Sequence, residues 1–79
     1  MRERPWCVAA LTRVDLLSER EMDVFLLLGD GHSNRSIATA LIVTERTVKA
    51  HVARIMDKIG VESRLQAGIV AHTYQIHCP

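Results

Sequence analysis

The chain has 79 residues and a mass of 8.9 kDa, which is the size of one small domain. Its hydrophobic fraction of 48% and charged fraction of 24% are those of a globular protein and exclude a disordered one. Two cysteines exclude the disulfide framework of small secreted proteins, and no apolar run is long enough to span a membrane. We therefore expect a cytoplasmic single-domain protein that does not associate with membranes.

The formal net charge of +1 conceals an uneven distribution along the chain. Residues 1–31 hold four basic and six acidic side chains, whereas residues 32–79 hold six basic and three acidic ones. The basic residues of the second half are Arg35, Arg46, Lys49, Arg54, Lys58 and Arg64. A basic segment in a nearly neutral protein is compatible with an anionic partner such as nucleic acid.

Residues 1–16 show no sustained hydrophobic period, and we interpret them as an N-terminal arm or linker with at most a helical turn. Ser18 and Glu21 have the spacing of a capping box, which predicts the start of a first helix. This helix should end at Gly31, because glycine adopts a left-handed conformation at the least cost. Ser33 can then cap a second, short helix over residues 34–41.

The third predicted helix, over residues 45–59, has the clearest pattern. Its apolar residues recur on one narrow stripe, formed by Val48, Val52, Ile55, Met56 and Ile59. Thr44 can cap its start, and Gly60 should end it. Ser63 and Gln66 form another capping-box pair, which opens a fourth helix that runs to about residue 76. Four helices without a convincing strand predict an all-α fold.

The second and third predicted helices are joined by a turn of about three residues, as in a helix-turn-helix unit. If the apolar stripe faces the core, the opposite side of the third helix presents Arg46, Lys49, Ala50, Ala53, Arg54 and Asp57. Its three cations then lie on a helix that is narrow enough to enter the major groove of DNA. Thr44 and Thr47 add hydroxyls at the helix N-terminus, where free N–H groups and the helix dipole favour phosphate.

A series of short motifs runs from Leu17 to Ala71 without a gap. They are Leu17-Ser18-x-Arg20-Glu21, Val24-Phe25, Gly31, Ser33-Asn34-Arg35, Ile37-Ala38, Leu41, Thr44-x-x-Thr47-Val48-Lys49-x-His51, Lys58-Ile59-Gly60-Val61, Arg64 and Ala67. Together they resemble the LuxR-type (NarL/FixJ-type) DNA-binding domain of bacterial transcription regulators. The resemblance implies a domain over residues 17–79 with a three-helix core, a helix-turn-helix unit at about 34–53 and a C-terminal dimerisation helix. It also implies base contacts from Lys49, Ala50 and Ala53.

These observations predict a bacterial transcription regulator that binds double-stranded DNA sequence-specifically, with the third helix in the major groove and without cofactor, metal or catalytic residues. The predicted DNA-binding residues are Arg35, Thr44, Arg46, Thr47, Lys49, Ala50, Ala53, Arg54 and Lys58. A contact with RNA polymerase is compatible with this role. No sensory domain fits in residues 1–16, so we expect an excised effector domain or a stand-alone small regulator, and Met1 favours the second.

The fourth predicted helix has two apolar faces, and a monomer needs only one of them for its core. We predict a homodimer through the outer face, formed by Leu65, Ile69, His72 and Ile76. The alternative is that the N-terminal arm covers this face with Trp6, Val8 and Leu11.

Three residues depart from the family pattern. Ser36 replaces a usual acidic residue, and Gly29 replaces a usual alanine at a cost of roughly 1 kcal/mol in helix propensity. Ile42 stands where glycine is frequent, so this turn is expected to be strained or differently wound. Ala50 and Ala53 offer only methyl groups to base edges, so one copy should discriminate weakly, and two copies or readout of DNA shape should be needed.

The basic helix and several single residues also allow a second interpretation. A helical adaptor that docks an acidic protein through the basic third helix is the alternative function.

Glu21 is expected to be a buried or cap-forming carboxylate, paired with a basic residue such as Arg64, rather than an acid catalyst. His51 is expected to be structural or to contact phosphate. Cys7 and Cys78 are expected to be free thiols, and the C-terminal His72, His77 and Cys78 lack a fourth metal ligand.

Overall fold

The computed structural model describes residues 5–77, and that range contains five α-helices and no strand. The helices are α1 (Pro5–Leu11), α2 (Glu19–Gly29), α3 (Asn34–Leu41), α4 (Glu45–Ile59) and α5 (Arg64–His77), with a 3₁₀ helix at Val14–Leu16. The all-α prediction is therefore confirmed, with one helix more than the four expected. None of the helices in the described range has the length and apolar character needed to cross a membrane.

The predicted caps form the starts of three helices. The Glu21 N–H donates to Ser18 Oγ over 3.2 Å, and the Ser18 N–H donates to Glu21 Oε1 over 2.9 Å, which completes the capping box of α2. Ser33 Oγ accepts a hydrogen bond at the start of α3, and Thr44 Oγ1 accepts one at the start of α4. Each bond satisfies an N–H group that a helix start would otherwise leave unpaired.

The start of α5 differs from its prediction in one detail. Ser63 Oγ accepts from the Gln66 N–H over 3.1 Å, as a capping box requires. The Gln66 amide oxygen, however, accepts from the Glu62 N–H over 2.8 Å instead of from the N–H of Ser63. The Gln66 side chain therefore satisfies the backbone N–H of Glu62, the residue before Ser63.

The interpretation of the N-terminal segment as an arm or linker is wrong for its described part. Residues 5–11 form α1, which packs against α5 and α4. Cys7 and Ala10 of this helix are buried in the common core, and so is Val14 of the following 3₁₀ helix. Cys7 is a free thiol, whereas Cys78 lies outside the described residues. Seven residues are too few to show a helical period, which is why the pattern missed α1.

The core is formed by one face of each helix. Its largest fully buried side chains are Phe25, Ile37, Ile55, Ile59, Val14, Val24, Val48 and Val70. The inner face of the last helix consists of the buried Ala67, Val70 and Ala71 and of Tyr74, which packs edge-on against Phe25 at 5.9 Å between ring centroids.

Gly29 allows α2 and α5 to approach each other closely. A Cβ atom placed on Gly29 would lie 2.9 Å from the backbone carbonyl carbon of Ala71, a distance that real side chains do not tolerate. The helix-propensity cost of this glycine is therefore accompanied by tight packing between the two helices.

Candidate nucleic-acid interface

α4 has one buried and one exposed face. Val48, Val52, Ile55 and Ile59 are buried against the other helices, as the apolar stripe predicted. The opposite face is exposed along its whole length and carries Arg46, Lys49, Ala50, Ala53, Arg54 and Asp57. The structure therefore brings these predicted residues together on one surface, and their contact with DNA stays a prediction.

The N-terminal turn of α4 carries two exposed threonines. Thr44 Oγ1 accepts from the Thr47 N–H over 3.1 Å and donates to Thr47 Oγ1 over 3.0 Å. This pair orders the first turn of the helix and places two hydroxyls at its positive end. Such an arrangement suits an anionic group approaching along the helix axis.

The turn between α3 and α4 contains a strained isoleucine. Ile42 has φ 57° and ψ 51°, and it is the single non-glycine residue with a positive φ among residues 5–77. Its N–H bonds the carbonyls of Ala38 and Thr39, and the Val43 N–H donates to the Ala38 carbonyl over 3.0 Å. The turn is thus wound as an ordinary left-handed helix end. We expected either strain or a different winding, and the left-handed backbone of Ile42 corresponds to strain.

Lys58 differs from the other predicted DNA-binding cations because it is already paired. Its Nζ lies 2.6 Å from Glu21 Oε1, with side-chain exposures of 38% for Lys58 and 5% for Glu21. The hydrogen bond from Lys58 lowers the pKa of Glu21, burial opposes that effect, and the bonds from Ser18 lower the pKa further. Glu21 is buried, cap-forming and paired with a basic residue as expected, but that residue is Lys58 and not Arg64.

Arg64 instead connects the start of α5 to the start of α3. Its guanidinium donates to the side-chain oxygen of Asn34, and it donates to the His32 carbonyl over 2.8 Å. Asn34 is the first residue of α3, so this contact fixes the entry to the helix-turn-helix unit. The 30 residues that separate the partners explain why no local sequence pattern reveals it.

Four cations remain on the outer surface of α3 and α4. Arg35 is exposed on α3, and Arg46, Lys49 and Arg54 are exposed on α4. The ion pair between Lys58 and Glu21 involves none of them, and no carboxylate between residues 5 and 77 neutralises these four side chains by direct contact. The positive charge is therefore available to an external anion.

The predicted dimerisation residues lie on the outer side of α5 to different extents. Leu65 is 74% exposed and Ile76 is 60% exposed, His72 is exposed, and Ile69 is half-buried against the core. Leu65, Ile69 and His72 line an open groove of about 680 Å³ that extends to Gly31 in the loop after α2.

The alternative that the N-terminal segment covers this face is wrong for Leu65 and Ile76, because both stay exposed with α1 in place. α1 contacts α5 at Thr73, whose Oγ1 lies 4.0 Å from Cys7 Sγ.

The structure also locates His51 and the side chains that could bind a metal ion. His51 is half-buried, and its Nδ1 is enclosed without a hydrogen-bond partner in the described part of the chain. No group of three or more histidine, cysteine or acidic side chains between residues 5 and 77 is arranged to hold a metal ion. Cys78 lies outside that range.

Comparison with known proteins finds a family model and relatives that match most of this chain. The family model described as "Bacterial regulatory proteins, luxR family" matches residues 15–71. The response regulator protein VraR of Staphylococcus aureus (strain NCTC 8325 / PS 47) is 44% identical over 62 residues. The VraR proteins of Staphylococcus saprophyticus and Staphylococcus epidermidis match to the same extent, which is 78% of this chain and 30% of each relative's length. The chain belongs to the luxR family of bacterial regulatory proteins.

Proposed function

We propose that this domain regulates transcription by binding double-stranded DNA sequence-specifically, with α4 in the major groove. The observation that carries the proposal is the exposed face of α4, where Arg46, Lys49 and Arg54 stand opposite the helix's buried apolar residues. The similarity to response regulator proteins supports a role as the DNA-binding effector part of such a regulator.

The contacts are assigned by position on this surface. Lys49, Ala50 and Ala53 face the base edges, where the alanine methyl groups suit thymine methyls. Arg35, Thr44, Arg46, Thr47 and Arg54 contact phosphates on either side of the groove. Lys58 is left out of the interface, because its ammonium group is bound to Glu21 within the domain.

A salt titration of duplex binding tests the proposal. Each neutralised phosphate contributes a slope of about −0.9 to the dependence of log K on log salt, so the three phosphate-contacting cations Arg35, Arg46 and Arg54 predict about −2.7 per copy. That slope corresponds to an affinity loss on the order of 40-fold between about 50 and 200 mM salt. Fluorescence anisotropy with a labelled duplex measures it.

Single substitutions then show which cations contribute to DNA binding. Arg46→Ala should weaken binding and reduce the slope by about 0.9 per copy, because one phosphate contact is lost. Arg13→Ala is the matched control, since it removes the same charge beside Gly60 at the far end of α4. If wild-type protein binds no duplex even at low salt, the proposal fails and the adaptor function with an acidic protein partner takes its place.

We also propose that two copies bind together through α5. Leu65 and Ile76 expose apolar surface that a monomer leaves in water, and the adjoining groove can receive side chains of a second copy. Pairing supports the specificity proposal, because one copy presents few hydrogen-bonding groups to the bases. A contact with RNA polymerase is compatible with this arrangement, since the dimer and DNA faces leave other surface free.

Sedimentation of the purified domain tests the pairing. Leu65→Glu should convert the dimer into a monomer without loss of stability, because Leu65 is 74% exposed and contributes little to the core. Ile69→Glu is less suitable, since Ile69 also packs against the core. A wild-type monomer at high concentration, or a Leu65→Glu dimer, would contradict the assignment. Selection of bound sequences from a random duplex library should return a two-fold symmetric site.

A further inference from the structure

Ile42 is a residue whose side chain the fold does not use. It is 90% exposed, the most exposed of the large hydrophobic side chains of the described range. The hydrogen bonds that wind the turn come from the backbone of Ile42 and Val43, and a glycine at position 42 would make the same bonds. The neighbouring Val43, by contrast, is half-buried and packs against the core.

The choice of isoleucine carries two costs at this position. A β-branched residue is disfavoured in the left-handed conformation, which glycine adopts freely. The exposed side chain also leaves apolar surface in water. No contact within the described residues offsets these costs, which favours a contact outside the chain.

The location of Ile42 indicates the partner. The residue precedes the N-cap Thr44 by two positions and the exposed Arg46 in the first turn of α4 by four. With α4 in the major groove, this end of the helix lies at the wall of the groove. That wall offers apolar groups between the phosphates, namely the deoxyribose carbons and the thymine methyl groups.

We propose that Ile42 is a DNA-contacting residue that packs against this apolar wall of the major groove. The inference rests on the proposed function, because it places the same helix in the same groove. It adds a contact from the turn to those from α4, and it uses nonpolar surface where the rest of the interface uses charge.

Substitution of Ile42 by residues that suit its backbone tests the inference. Ile42→Gly and Ile42→Asn both tolerate the left-handed conformation, so both should fold at least as stably as the wild type. Their affinity for a duplex selected by the wild-type protein should fall about fivefold, which corresponds to burying roughly half of an isoleucine side chain. The salt slope should not change, since no charge is removed.

Two controls show whether the loss of affinity comes from this contact. Val8→Asn removes an exposed apolar side chain on α1 and should leave the affinity unchanged. Duplexes with uracil in place of thymine lack the methyl group, so a wild-type affinity loss that disappears in Ile42→Gly identifies the methyl as the contact. An unchanged loss in both proteins identifies the deoxyribose.

The inference is overturned if Ile42→Gly binds the selected duplex as tightly as the wild type, or if it changes the sedimentation of the free protein and not its DNA affinity. The second result would assign Ile42 to a protein interface. Failure of the proposed function looks different, because the wild-type protein itself would then bind no duplex.

Discussion

The pair formed by Glu21 and Lys58 predicts a pH-dependent contribution to stability. Glu21→Gln keeps a neutral oxygen that can accept from the Ser18 N–H, but it removes the charge that Lys58 Nζ contacts at 2.6 Å. A charge-assisted hydrogen bond contributes more than a neutral one, and the 38% exposure of Lys58 reduces that difference. The expected loss at neutral pH is about 1–2 kcal/mol, and each kcal/mol lowers the Tm of a domain of this size by about 4–8 °C.

The sign of the pH dependence follows from the lowered pKa of Glu21. Its pKa in the folded protein lies below the usual value of 4.5, chiefly because of the Lys58 hydrogen bond. The stabilisation is therefore complete above about pH 4.5 and is lost as the pH falls through the lower, folded-state pKa. The difference in unfolding free energy between wild type and Glu21→Gln should shrink towards zero in acid.

Urea unfolding followed by circular dichroism at a series of pH values measures this difference. Asp23→Asn, an exposed change on the same helix, is the control and should show little effect at any pH. A double-mutant cycle with Lys58→Met should return most of the loss as coupling between the two side chains. If the Glu21→Gln loss were the same at neutral and acid pH, the stabilisation would come from packing or cap geometry and the electrostatic reasoning would be refuted.

Two further predictions concern backbone positions. Gly29→Ala should destabilise the domain by roughly 1–3 kcal/mol in thermal unfolding despite its better helix propensity, because the new Cβ meets Ala71 at 2.9 Å. Gly68→Ala should stabilise it by about 0.5–1 kcal/mol, since its Cβ meets only the Leu28 carbonyl at an ordinary 3.6 Å, and equal effects at both glycines would contradict the packing argument. Ile42→Gly should stabilise the fold by about 1 kcal/mol through relief of the left-handed strain, and a lower Tm would show that the side chain has a structural role after all.

The sequence predicted the elements that local chemistry specifies. Ser18, Ser33 and Thr44 placed the starts of α2, α3 and α4, because cap hydrogen bonds form between residues only three positions apart. The apolar period of α4 likewise predicted its buried face, and with it the set of outward residues.

Contacts between distant residues could not be predicted in the same way. The pairing of Glu21 with Lys58 instead of Arg64 depends on how α2 crosses α4, and from the sequence alone either cation could pair with a carboxylate. α1 was missed because its seven residues are too short for a period and owe their helical conformation to burial of Cys7 and Ala10. The need for Gly29 became visible only from the approach of α5.

The bridge from Arg64 to Asn34 and His32 has a mechanical consequence. Its two hydrogen bonds join the first residue of α5 to the first residue of α3 and to the loop before it, so they oppose a tilt of one helix relative to the other. In a dimer joined at α5, the distance and angle between the two copies of α4 would then be largely fixed. The spacing of the two half-sites of an operator would have to match that distance, and DNA with a different spacing would have to bend or twist to bind both copies.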